Sequence, residues 1–149
     1  MKSNVTMLYG YIEKPVHRID HMIAARQLQD ETQGFQAFIP LEYNPENTVL
    51  QKMYNLKPVG AMEDLKVSAV SRLMLDNIPH TKLVWQTVGK KTAQLALDFG
   101  IDDIGGSSFE EKILNATYGK TFEKIRESDL PFIIQRAGKT PVRTNSAYL

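Results

Sequence analysis

The sequence predicts an α/β chain built on a parallel sheet. Strand-like apolar runs alternate with segments of helical periodicity along its 149 residues, and that alternation is the mark of right-handed βαβ units. The run Phe35 to Tyr43 is apolar at nearly every position, as a parallel strand covered on both faces requires. Glycine, proline and asparagine punctuate the boundaries between runs. Two architectures fit: an open doubly wound sheet or an arc of a (βα) barrel. About four strands cannot close a barrel alone, since a full one takes ~250 residues. An arc has bare edges and an uncovered inner face, so it calls for a partner chain or a second copy.

The elements follow in order. Val5 to Ile12 reads as a buried strand, and Pro15 opens a helix reaching about Asp30, with Val16, Ile19, Met22 and Ile23 on one face. Gly34 breaks it. After the Phe35–Tyr43 strand, Asn44 to Asn47 is turn chemistry. Leu50 to Gly60 reads as irregular. A helix spans Met62 to Asn77, stopped by Pro79. Lys82 to Val88 is a third strand, Lys91 to Phe99 a helix capped by Gly100, and Ile101 to Ile104 a short fourth strand. Helices are predicted over Phe109 to Ala116 and Phe122 to Ala137, the second interrupted or kinked at Pro131. Pro141 to Leu149 is a tail of weak strand character.

Composition is that of an ordinary globular domain, read here as one unit over residues 1–149. A net charge of +1 gives no electrostatic footprint for nucleic acid or a membrane surface. No cysteine is present, which removes disulfides and thiolate metal sites from this chain. No signal peptide or apolar run of ~20 residues is visible. A cytoplasmic protein is the expectation.

In parallel α/β folds the site forms at the carboxyl ends of the strands. There the chain presents Gly10, Tyr11 and Glu13; then Pro40, Glu42, Asn44, Asn47 and Thr48; then Trp85, Thr87 and Gly89; then Asp102, Asp103, Gly105, Gly106 and Ser107. Amides, carboxylates and glycine turns suit a sugar or nucleobase edge, although strand ends also collect polar residues for purely structural reasons. Val88-Gly89-Lys90-Lys91-Thr92 is not a phosphate loop, because Val84 stands where that motif needs glycine. Ser107 and Ser108 fit capping boxes ahead of Glu110 and Glu111. His17 and His21 lie one helical turn apart, a chelating spacing, but Arg-Ile-Asp between them is no metalloprotease motif and no third ligand follows. His80 follows Pro79 at a helix end, a place for structural use.

At three runs the chain resembles a known family: Gly34 to Leu41, Asn44-Pro45-Glu46-Asn47-Thr48, and Ser71 to His80. Together with Thr6 to Gly10, Leu28 to Thr32, Ala93 to Leu97, Asp102-Asp103, Glu110 to Ile113 and the tail through Tyr148, they are similar to the C-terminal half of the aminofutalosine synthase family. These are radical S-adenosylmethionine enzymes of the futalosine route to menaquinone. Dehypoxanthine futalosine cyclase and an FO synthase subunit are relatives. The resemblance implies a partial (βα) barrel of about four parallel strands with outer helices, lacking the N-terminal half of the radical S-adenosylmethionine barrel. It implies an adenosyl and substrate cavity at the strand carboxyl ends. In the family a Cys-x3-Cys-x2-Cys loop of the first half holds a [4Fe–4S] cluster, and thiolate ligation is not optional there. The cluster would therefore come only through a partner chain, and this chain would be a split subunit or a fragment. S-adenosylmethionine or another nucleoside-like molecule is the implied ligand.

Carried over by resemblance, Gly10, Glu13, Pro40, Asn44, Asn47, Thr48 and Asp103 are cofactor or substrate contacts, and His80 is the acid–base group. The chain departs from the family pattern at Tyr11, where His is usual, at Gly105-Gly106-Ser107, where Asp precedes Gly-Thr, and at Thr81 to Trp85. These departures leave room for a non-catalytic nucleoside-binding or structural homo-oligomer. A metal-dependent hydrolase using His17, His21 and the acidic pair is the third reading.

Overall fold

The computed structural model describes residues 2–105 and 127–149. Its core is a parallel sheet of β1 (Ser3–Tyr9), β2 (Phe35–Glu42), β3 (His80–Val84) and β4 (Asp103–Gly105), in that spatial order. The intervening helices are α1 (Pro15–Thr32), α2 (Val49–Tyr54), α3 (Ala61–Met74), α4 (Trp85–Val88) and α5 (Lys90–Ala96). A 3₁₀ turn, Glu127–Asp129, leads into α6 (Leu130–Arg136). No described helix is long and apolar enough to cross a membrane.

The strand order separates the two architectures left open by the sequence. A doubly wound sheet reverses its order and so covers both faces. Here the order never reverses, so right-handed crossovers put the helices on one face. Register agrees. Met7 pairs with Pro40 and Tyr9 with Glu42, while Phe38 pairs with Thr81 and Leu83 with Ile104. Met7, Tyr9 and Phe38 bury against Met22 and Ala25 of α1 and Val67 of α3. Leu83 buries against Leu65 of α3, Trp85, and Ala93 and Ala96 of α5. On the opposite face of β1, Asn4 and Thr6 are exposed and Leu8 is 46 % exposed. Among the described residues the helices lie on one side of the sheet, as a partial barrel requires.

Local chemistry explains the element ends. Pro15 begins α1 because its missing N–H is not needed in a first helical turn. Gln33 ends α1 in the left-handed conformation and donates its N–H to the Gln29 carbonyl. Within the stretch read as irregular, Thr48 caps the short helix α2 by accepting from Gln51 N at 3.1 Å. Trp85 is not mid-strand: β3 stops at Val84, and the buried indole anchors the turn of α4. Pro131 sits in the first turn of α6, directly after the 3₁₀ turn, so the described part of that run is interrupted there rather than kinked. The predicted helix over Phe109 to Ala116 and the start of the one at Phe122 lie outside the described residues.

Instead of pairing as a strand, the tail folds onto the amino-terminal end of the sheet. Gln36 Nε2 donates to the Ser146 carbonyl at 2.8 Å. Asn145 Oδ1 accepts from Ala147 and Leu149 N, closing a tight turn. Tyr148, held at φ 57°, stacks on the His80 ring at 3.9 Å and donates its hydroxyl to Asp103 Oδ2 at 2.6 Å. A bulky residue held in the left-handed region costs on the order of 1–2 kcal/mol, so the stack and the charged hydrogen bond must outweigh that cost. Tyr148→Ala should therefore lower unfolding stability by on the order of 1–2 kcal/mol, with Tyr148→Phe, which keeps the stack, losing less. Urea titration of the two variants checks the ranking.

Candidate functional site

The two ends of the sheet differ in how their polar groups are used. At the amino-terminal end Asp102 organises a closed network. Its Oδ1 accepts from Thr81 N at 2.7 Å and pairs with Arg72 at 3.0 Å; its Oδ2 meets His80 Nδ1 at 3.0 Å. Arg72 Nε also donates to the Gly100 carbonyl at 2.8 Å. Asp103 pairs with Lys82 at 3.0 Å besides accepting from Tyr148. His80 opens β3 and Asp103, the partner of Lys82, opens β4, so the structure does not bring this pair to the carboxyl rim with the other sequence-predicted residues. The His80 ring is engaged by Asp102 and covered by Tyr148.

At the carboxyl end the loop after β1 is built around Glu13. Its two oxygens accept from Gly10 N at 2.7 Å and Tyr11 N at 2.8 Å, and Arg18 Nε bonds the first oxygen at 2.7 Å. Arg18 also bonds Glu63 at 2.6 Å, tying the loop to the first turn of α3, and its guanidinium lies 5.4 Å from the Tyr9 ring centre. Burial alone would raise the Glu13 carboxyl, but the two backbone N–H groups and Arg18 together hold it below the usual range. Glu13 is thus a loop-shaping anion with its lone pairs largely spent. Gly10 turns at φ 88°, and a Cβ there would lie 2.9 Å from Val59 Cγ1.

The loop after β2 supplies the remaining residues. Pro40 is fully buried on the helix-covered face rather than at the rim. Asn47, at φ 60°, and the cap Thr48 shape the entry to α2. Asn44 Oδ1 accepts from Glu46 N at 3.0 Å, while its Nδ2 is buried without an acceptor. Tyr43 meets Tyr11 edge-on at 6.0 Å. Gln86, which the sequence reading passed over, lies just past β3 with a buried Oε1 that accepts no hydrogen bond. Leaving such a group unpaired costs on the order of 1–3 kcal/mol. One further buried atom among the described residues is unpaired, Asn77 Oδ1, on a side chain whose nitrogen already ties the Arg26 carbonyl and Asp30.

Under the same rim lies an acidic trio. Tyr9 donates its hydroxyl to buried Asp64 Oδ1 at 2.8 Å, and Glu42 flanks them. Burial first, then the Asp64 charge, pushes the Glu42 carboxyl up to about 8; burial also raises Asp64. His17 Nδ1 accepts from Lys14 N at 3.3 Å as part of the α1 cap. No described cluster of three or more histidine and acidic side chains could hold a metal.

Two outcomes follow from this rim. Glu42 takes its proton near pH 8 when folded and near 4.5 when unfolded, so the folded state holds more protons between those values. Its contribution to stability is full below the lower value and is lost as pH rises toward 8. Glu42→Gln should flatten that decline and stabilise the chain at the upper end by on the order of 1–3 kcal/mol; melting against pH reads it. Gly10→Ala should destabilise by on the order of 1–3 kcal/mol through its positive φ, measured by denaturant midpoint.

The geometry meets its counterpart among known proteins. The family model described as the CofH/MqnC C-terminal region matches residues 32–149. Aminodeoxyfutalosine synthase of Streptomyces coelicolor is 45% identical over 99% of this chain, and that of Thermus thermophilus 41% over 98%. The 5-amino-6-(D-ribitylamino)uracil–L-tyrosine 4-hydroxyphenyl transferase of Methanococcus maripaludis is 37% identical over 99% of the chain. The alignments cover only 40%, 40% and 42% of these relatives, so the chain spans well under half their length. On this evidence the chain belongs to the CofH/MqnC C-terminal region family.

Proposed function

We propose that this chain forms one wall of the cavity of a radical S-adenosylmethionine enzyme resembling aminofutalosine synthase, the cluster-bearing strands coming from elsewhere. The observation that carries this reading is the one-sided arc: among the described residues no helix lies over its inner face, and its carboxyl rim keeps two buried polar atoms unpaired. A chain without cysteine does not fit a [4Fe–4S] cluster by itself, so the cluster belongs to a chain or segment bearing Cys-x3-Cys-x2-Cys. The rim does fit a nucleoside-like molecule such as S-adenosylmethionine, which would supply the adenosyl group. In this reading Gly10 and Asn44 border the ligand, Glu13 positions the loop carrying Gly10 and Tyr11, and Asn47 and Thr48 hold the second loop. His80 and Asp103 stand outside the site, committed to the amino-end network.

A second reading, a non-catalytic homo-oligomer derived from such a half, draws support from Tyr11. Its ring packs on Tyr43 where the family usually has His, taking up rim space. One experiment separates the two. Co-expression with a Cys-x3-Cys-x2-Cys half-barrel chain should yield a complex that co-purifies with equal amounts of each. Recovery of this chain as a stable dimer that ignores every such partner would reverse the ranking.

A further inference from the structure

The tail meets the sheet on the face that no described helix covers. Phe38 buries toward α1 and α3, so its neighbour Ala37 points the other way. Ala37 pairs with Asn4 on one side and with His80 on the other. Asn4 is exposed, whereas Ala37 is fully buried. The difference follows the tail. Tyr148 stacks on the His80 ring at 3.9 Å, and Gln36, next to Ala37 in the chain, donates to the Ser146 carbonyl at 2.8 Å. The Tyr148 hydroxyl reaches on to Asp103 of β4, which also pairs with Lys82. Burial, then the bond to Asp103, raises the pKa of that hydroxyl, so it stays a donor.

Barrel interiors are filled by layers of bulky strand side chains. At the amino-terminal level this row offers only asparagine, alanine and histidine, and the Tyr148 ring adds the volume they lack. The attachment is light: from Gly138 to Leu149 every residue except Pro141 and Tyr148 is exposed. Tyr148 also sits in the left-handed region at φ 57°, a conformation that a bulky residue keeps only where its surroundings impose it, as in clamps and switch segments. We propose that the tail is a strap that closes the amino-terminal end of the sheet's helix-free face, latched by Tyr148 on His80 and able to lift while the sheet stays folded. Its role rests on the cavity reading above: with the strap down, the interior is entered from the carboxyl rim and its floor is shielded from water.

The chain has no cysteine, so Ala37→Cys puts a single thiol beneath the strap. Its rate of reaction with dithiobis(nitrobenzoate) reads the lifting. Adding Tyr148→Ala should speed that reaction by about tenfold, while Tyr148→Phe, which keeps the ring, should stay within about twofold. Asn4→Cys, one strand away on the same face, should react fast whatever stands at Tyr148. With the tail unaltered, urea below the unfolding transition should speed the Ala37→Cys reaction before the emission of Trp85, the sole tryptophan, changes. A second measurement needs no thiol: acetylation of Lys82 by limiting acetic anhydride should be faster in Tyr148→Ala than in Tyr148→Phe. The proposal is overturned if Ala37→Cys reacts as fast as Asn4→Cys with the tail intact, or if Tyr148→Ala changes neither rate. It is also overturned if the thiol opens only as Trp85 unfolds. Failure here beside a co-purifying cluster-bearing partner removes the strap and leaves the half-enzyme reading standing. A strap that lifts in a chain ignoring every such partner removes only the latter.

Discussion

The constraint on which the rest of this structure depends is the strand order. Four parallel strands laid down in sequence order, each crossing over with the same hand, put their helices on a single face. Among its described residues no helix lies over the other face; only the tail reaches it, through Tyr148 on His80 and Asp103. Helices α1, α3 and α5 bury apolar side chains of the sheet in two clusters, one around Tyr9 and Phe38 and one around Leu83 and Trp85. Leu8 points the other way and stays half exposed. A sheet of this kind is a wall, and its two ends inherit different duties.

At the amino-terminal end the duty is stability. Asp102 and Asp103 collect Arg72, Lys82, His80 and the Tyr148 hydroxyl, so each buried or half-buried charge meets an opposite charge or a donor. The tail adds an aromatic stack. At the carboxyl end the loops are just as ordered: Glu13 gathers two backbone N–H groups and Arg18, and Thr48 caps α2. What differs is what they leave over. Glu42 sits half-buried beside Asp64 with its proton held toward neutral pH, and Asn44 and Gln86 each keep one atom unpaired. Two of the three buried atoms left unpaired among the described residues lie past the carboxyl ends of β2 and β3; the third, Asn77 Oδ1, lies ahead of β3.

Much of this was legible in the residues. The alternation of elements, Pro15 at a helix start and the apolar Phe35 run each follow from local chemistry, and they survive in β1, α1 and β2. The misplacements have physical causes. Lys82 to Val88 looks like one strand because Leu83, Val84 and Trp85 are all strand formers, but the indole is drawn into the cluster with Leu65 and Ile101, and the chain turns there. His80 lies at the amino end of β3 whether the strand starts there or at Lys82, so its place at the rim was an expectation of the resemblance alone. A short helix held by a single threonine cap, as at α2, carries too few residues to show a period. Asn44 could be singled out because an asparagine before proline marks a turn. Gln86 could not, since nothing in a lone amide after a tryptophan reveals that its carbonyl will be buried without a donor.

Among the described residues β1 pairs only with β2, so every second amide of β1 points away from the sheet. Hydrogen exchange resolved to single amides, on dilute chain alone and again with the cluster-bearing half present, measures this directly. The account predicts that alternate amides of β1 exchange freely in the solitary chain and become protected when the partner is added. Equal protection of all β1 amides in a solitary monomer would mean the chain closes its own edge, and the wall would not be one.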